Sequence, residues 1–202
     1  FGQFCIVIPE HEMVVAITSG TNDMGGVMEA VWEILLPAMA PKPIEPDTTI
    51  LQSLAFKLNG LSLPLVEGEA RSPISQKLAQ RKFQFFENEA GVNSVSFYLH
   101  GKDHRITMEM DHGMETLYLG TESHITSKLN DHLPYTQNMR RRIGASGAWV
   151  KPNEYRAKIY LTETPGSIMY TFRFANNRMT WTSQLRHSLF GSRNLAILKG
   201  EF

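Results

Sequence analysis

From about residue 81 onward the chain breaks into short runs of alternating polarity, and that grammar admits few folds. Ile106, Met108 and Met110 alternate with Thr107 and Glu109, while Ile168, Tyr170, Phe172 and Phe174 alternate with Thr171 and Arg173. A period of two sends successive side chains to opposite faces, so each run reads as a half-buried strand. Turn residues punctuate the runs at Gly101-Lys102-Asp103, Asp111-His112-Gly113, Thr164-Pro165-Gly166 and Asn176-Asn177, the residue types that accept tight reversals. Runs near 82–87, 94–100, 106–110, 116–119, 147–150, 155–162, 168–174, 179–182 and 195–198 make eight or nine strands. Such even spacing implies a mainly β, antiparallel barrel or sandwich. The polar stretch 121–143, including Arg140-Arg141-Arg142, reads as solvated loop.

The opening forty residues follow other rules. Phe4-Cys5-Ile6-Val7-Ile8 and Met13-Val14-Val15-Ala16-Ile17-Thr18 flank a short polar turn, which predicts an antiparallel hairpin apolar enough to be buried on both faces. Thr21-Asn22-Asp23 offers capping side chains for a helix over 23–36, where Val27, Val31, Ile34 and Leu35 share one face and Pro37 stops the run. A hairpin and one helix cannot enclose a core, so residues 1–40 are expected to pack on another copy of the chain, on the β domain or on structure outside the chain. Pro41-Lys42-Pro43-Ile44-Glu45-Pro46 reads as a stiff linker, separating 1–40 from a second domain over 47–202. That domain begins with a short helix capped by Asp47, with Ile50, Leu51, Leu54 and Leu58 on one side and Asn59-Gly60 at its close. Residues 61–80 look irregular.

Composition narrows the function. A 42% hydrophobic content supports a buried core, and 20 basic against 20 acidic residues give no net charge. A protein that grips nucleic acid by counterion release carries a basic excess, so nucleic acid is not an expected partner. Cys5 is the only cysteine, which excludes an intrachain disulfide and a thiolate metal cluster and leaves the compartment undecided. No apolar run approaches the roughly 20 residues of a membrane-spanning helix. The chain starts at Phe1 rather than Met and passes directly into strand-like sequence, the pattern expected of a piece of a longer protein.

Residues 2–39, running Gly2-Gln3-Phe4-Cys5-Ile6-Val7-Ile8-Pro9-Glu10 and then Met13-Val14-Val15-Ala16-Ile17-Thr18-Ser19-Gly20, resemble the last two strands and C-terminal helix of the class C β-lactamase-like, penicillin-binding-protein-related serine hydrolases. Residues 47–202 resemble the all-β extension that follows such domains in some bacterial proteins, through Glu87-Asn88-Glu89-x-Gly91, Ala145-Ser146-Gly147-Ala148-Trp149 and Glu163-Thr164-Pro165. The resemblance implies that 1–40 ends a truncated α/β domain, that the missing hydrolase domain is a partner, and that the compartment is periplasmic or extracellular. It also implies a Ser-x-x-Lys nucleophile and a Tyr-x-Asn element, because the serine needs a neighbour to take its proton. Neither is present. Ser72-Pro73-Ile74-Ser75, Ser75-Gln76-Lys77 and Thr126-Ser127-Lys128 miss the spacing, and Ser183-Gln184-Leu185-Arg186 places an always-charged Arg where a deprotonatable Lys is required.

Other constellations are weaker. His100 and His104 straddle a turn with His112 further on, but a metal site needs three or four converging ligands and a second shell, and exposed turn histidines are the simpler reading. Ser188-Leu189-Phe190-Gly191-Ser192 lacks the leading glycine and the strand-to-helix context of a nucleophile elbow. Ser146-Gly147-Ala148-Trp149 lacks the helix and Lys of a phosphate loop and reads as the tight start of a strand. Tyr98, Trp149, Tyr155, Tyr160, Tyr170, Phe172, Phe174 and Trp181 suit a barrel core, or the mouth of a lipocalin-like barrel holding a small apolar ligand. The residues therefore assign no catalytic, cofactor-binding or metal-ligating role. The first reading is a non-catalytic accessory module of a serine hydrolase, inactive alone; the second is a stand-alone lipocalin-like barrel.

Overall fold

Antiparallel pairing dominates the chain, as the alternation demands. The structure is a computed structural model that describes residues 2–40, 42, 45–79, 81–130, 140–186 and 193–202. Contacts divide these residues into two units, one formed by Gly2–Ile17 with Asp23–Pro64, the other by Thr18–Asn22 with Leu65–Phe202.

In the smaller unit, β1 (Phe4–Ile8) pairs antiparallel with β2 (Met13–Ile17) from Phe4↔Ile17 to Ile8↔Met13. Glu12 takes a left-handed conformation (φ 49°) to close the turn between them. The hairpin is not buried on both faces: Val7 and Val14 are 64% and 62% exposed. Helix α1 (Met24–Ala30) starts where Asp23 Oδ1 accepts the Gly26 amide at 2.9 Å, then loosens into a π-type turn over Val31–Leu35, with the Leu36 amide donating to the Val31 carbonyl. Helix α2 (Thr48–Asn59) is capped by Asp47 Oδ1, which accepts from the Thr49 and Ile50 amides at 2.8 and 3.1 Å and so satisfies two of the donors a helix start leaves open. Its expected apolar side, including Ile50 and Leu54, is exposed.

The larger unit is a barrel. After the short α3 (Ser75–Leu78) come β3 (Lys82–Gln84), β4 (Val92–Tyr98), β5 (Asp103–Met110), β6 (Gly113–Gly120), β7 (Ile125–Asn130), β8 (Arg140–Lys151), β9 (Glu154–Leu161), β10 (Ser167–Ala175), β11 (Arg178–Arg186) and β12 (Arg193–Glu201). Nine of these have six residues or more and β3 has three, so the eight or nine strands of the sequence reading are all present. They lie in one sheet in the order β6-β5-β4-β3-β12-β11-β10-β9-β8-β7, and a parallel bridge from Gly120 of β6 to Ser146 of β8 brings its ends together. The fold class is thus mainly β, an antiparallel barrel preceded by a hairpin and helix.

Two stretches differ from expectation. The polar segment 121–143 contains β7 and the start of β8, and Arg140, Arg141 and Arg142 are strand residues opposite Asn130, Leu129 and Lys128 rather than a solvated loop. Pairing along the backbone overrode side-chain polarity there: Arg140 and Arg142 are exposed, and Arg141, on the inward face, is half-buried at the strand's beginning. Inward side chains of β3–β12 merge into one cluster that includes Phe83, Phe97, Ile106, Leu117, Ile143, Ile159 and Phe172. Burying each such side chain is worth roughly 1.5–3 kcal/mol.

Candidate functional site

The barrel interior is the candidate site, and its side chains fall into layers set by the strand register. One row joins Trp149↔Tyr155↔Phe172↔Trp181↔Leu198 across β8 to β12. The next row on the same face joins Gly147↔Ala157↔Tyr170↔Ser183, and the one after it Ala145↔Ile159↔Ile168↔Leu185. Two residues along a strand return to the same face, so the rows stack as an aromatic layer, a layer of mainly small residues and an aliphatic layer.

Near the turns that follow β4 and β8 the interior is closed by a polar knot. His104 is wholly buried, which corrects the expectation of an exposed turn histidine. Its Nε2–H donates to the Ala70 carbonyl at 2.9 Å, so Nδ1 is the acceptor for the Tyr155 hydroxyl at 2.8 Å. Burial lowers the imidazole pKa below its ordinary 6.5, outweighing the hydrogen bond to Ala70 that would raise it. Burial likewise pushes the Tyr155 phenol well above 10.0. Gly147 belongs to this knot: a Cβ there would run into the Tyr155 hydroxyl. Alongside, Glu69 and Trp149 exchange backbone hydrogen bonds at 2.9 and 2.8 Å, fastening the segment before β3 to β8.

Trp181 differs from these groups. It is 5% exposed, and its ring meets Tyr170, Phe172 and Phe85 at centroid distances of 5.0, 5.3 and 6.5 Å. Its Nε1–H has no hydrogen-bond partner among the described residues. A buried donor left unpaired costs about 1–3 kcal/mol. The Ser127 hydroxyl on β7 is also buried without a partner. By contrast the inward Glu115 is engaged, accepting from Asn130 Nδ2, with His112 Nε2 at 3.5 Å.

The remaining residues singled out in the sequence scatter. His100 stacks on Tyr98 with centroids 3.9 Å apart, away from His112 with its partner Glu115. No group of three metal-ligating side chains occurs among the described residues. Ser146 is not at the start of a strand but in the middle of β8, where its hydroxyl accepts the Val66 amide at 3.2 Å. Ser72 donates to the Pro152 carbonyl, and Ser75 Oγ accepts the Ser72 amide. Ser183 faces inward from β11. Ser188 to Ser192 lie outside the described residues. Of the aromatics, Trp149, Tyr155, Tyr170, Phe172, Phe174 and Trp181 belong to the core, whereas Tyr98 and Tyr160 do not.

No protein-family model and no curated protein matches the chain. Among solved structures it is similar to a fatty acid-binding protein from brain tissue of Drosophila melanogaster, crystallised without citrate inside, at 8% identity and TM-score 0.45, covering 62% of this chain and 99% of the other. A secretary abundant heat soluble (SAHS) protein from Ramazzottius varieornatus is similar at 8% identity and TM-score 0.45, covering 68% and 98%. The reading of the chain as a non-catalytic accessory fragment of a serine hydrolase is corrected by these findings: the neighbours are fatty-acid-binding and SAHS barrels, and nothing supports a missing hydrolase domain. The barrel's own geometry agrees, since its sheet closes on itself around one continuous core.

Proposed function

We propose that the chain is a ligand-binding barrel that encloses a small, largely apolar molecule. The reading rests on the inward face of the barrel. About eight strands make a barrel whose interior side chains just fill it or which holds one small ligand, and the diameter grows with strand number. This sheet has ten strands, and the layer beside its aromatic row carries Ala157 and Ser183. Small residues in a wide barrel leave room that the neighbouring aromatic rings bound.

Titration with Nile red, a neutral dye that brightens in apolar surroundings, tests the reading. Saturable binding at one site per chain, displaced by medium-chain apolar molecules, is the expected outcome. Dye that never saturates, or that binds equally to residues 1–64 alone, refutes it.

A second proposal concerns residues 1–40, which associate with another copy of the chain. It is supported by the exposed cross-strand pair Val7 and Val14 and by Ile34, which is 70% exposed, because exposed apolar side chains favour burial against a partner.

A further inference from the structure

From the orphaned indole of Trp181 we infer that the enclosed ligand is an uncharged molecule carrying a hydrogen-bond-accepting oxygen, such as a ketone or ester on an apolar body, and that Trp181 Nε1–H donates to that oxygen. The inference rests on the ligand-binding reading and names the ligand's chemistry within the same interior.

Three observations carry it. Indole nitrogen is a donor only, so the group that completes it must supply a lone pair. The side chain is 5% exposed and its N–H is unpaired among the described residues, while the other inward tryptophan, Trp149, donates to the Leu99 carbonyl at 3.5 Å. Finally, the surroundings are neutral. The row that holds Trp181 contains Trp149, Tyr155, Phe172 and Leu198, and the rows on either side contain Gly147, Ala157, Tyr170, Ser183 and then Phe174, Met179 and Gly200. No cationic residue occupies these positions. Arg141, which shares the inward face of β8, stands eight residues from Trp149, roughly 26 Å along the strand at 3.3 Å per residue. A carboxylate brought against Trp181 would be desolvated with no counter-ion, which a single neutral donor does not offset. An uncharged carbonyl needs one donor and finds it.

The test uses the full chain and three probes of equal carbon number, a straight-chain methyl ketone, the corresponding alkane and the corresponding carboxylate, each displacing Nile red. The ketone should bind about two- to tenfold more tightly than the alkane, the worth of one neutral hydrogen bond, and more tightly than the carboxylate. Trp181→Phe, which keeps an aromatic ring and removes the N–H, should erase the ketone's advantage over the alkane. In the unaltered protein labelled with ¹⁵N, one indole resonance should move on adding ketone and stay in place on adding alkane. This measurement does not depend on how well the variant folds. Equal affinity for ketone and alkane, a tighter carboxylate, or an indole resonance indifferent to the ketone each overturns the inference while leaving the ligand-binding reading intact. Failure of the dye and all three probes to bind saturably overturns both.

Discussion

Lowering the pH should weaken the barrel through His104, and the size of the effect follows from its burial. In the folded chain the imidazole is enclosed, with its Nδ1 lone pair engaged by the Tyr155 hydroxyl, and burial depresses its pKa below the ordinary 6.5. In the unfolded chain it takes up a proton at that ordinary value. Between the two values the unfolded state binds more protons than the folded one, so stability rises with pH. It is fully present above about 6.5, falls as the pH drops toward the folded-state value, and levels off below it. Because the unfolded imidazole titrates near 6.5, the loss between about pH 7.5 and about pH 5.5 cannot exceed about 1.4 kcal/mol, equivalent to about 3–5 °C in Tm for a chain of this size. Chemical denaturation of the chain and of His104→Gln across that interval measures it. The variant lacks the titrating ring and should show a smaller loss by about the same amount, whatever its absolute stability. A slope shared in full by both proteins would refute the argument, since other histidines would then be responsible.

Further outcomes are expected elsewhere. Tyr155→Phe leaves the His104 acceptor buried and unpaired and should cost about 1–3 kcal/mol in urea denaturation. Gly147→Ala pushes a methyl group into the Tyr155 ring and should cost about 1–3 kcal/mol, with a double variant departing from additivity because the two residues touch. Burial pushes the Glu154 carboxyl up, but hydrogen bonds from Arg173 at 2.8 Å and from Arg156 outweigh it and hold the pKa below 4.5. Its stabilisation should therefore be present above that pH and decline in more acid solution, and Glu154→Gln should flatten the acid limb of a stability profile. Association through residues 1–40 should appear as a concentration-dependent mass in sedimentation velocity, reduced by Val14→Lys or Ile34→Lys; a monomer at all concentrations would count against it.

The alternation of Ile168, Tyr170, Phe172 and Phe174 is enough to place their side chains on one buried face, and the turn residues mark the reversals. His104 was legible by the same rule, because it shares parity with Ile106, Met108 and Met110. Its position beside Gly101-Lys102-Asp103 drew attention to the turn instead. Strand β7 was hidden because Thr126, Ser127 and Lys128 dilute its two apolar residues, and the first part of β8, before the run read at 147–150, because three arginines open it and Gly144 and Ala145 follow Ile143. Small residues carry little periodic signal. The state of the Trp181 indole was not legible at all. Whether a buried donor finds an acceptor depends on contacts between strands distant in sequence, which no local pattern encodes.

The meeting of Gly120 with Ser146 has a mechanical consequence. Every other neighbouring pair of strands in the larger unit is antiparallel, while this junction is parallel and rests on a single residue pair. It is one of two thinly stitched seams in the wall, the other being β3 with β12, which pair only at Gln84↔Glu201. Amides flanking it should exchange with deuterium sooner than those of β9 to β11. A wall joined so thinly at two places opens there before its remaining strands have to come undone.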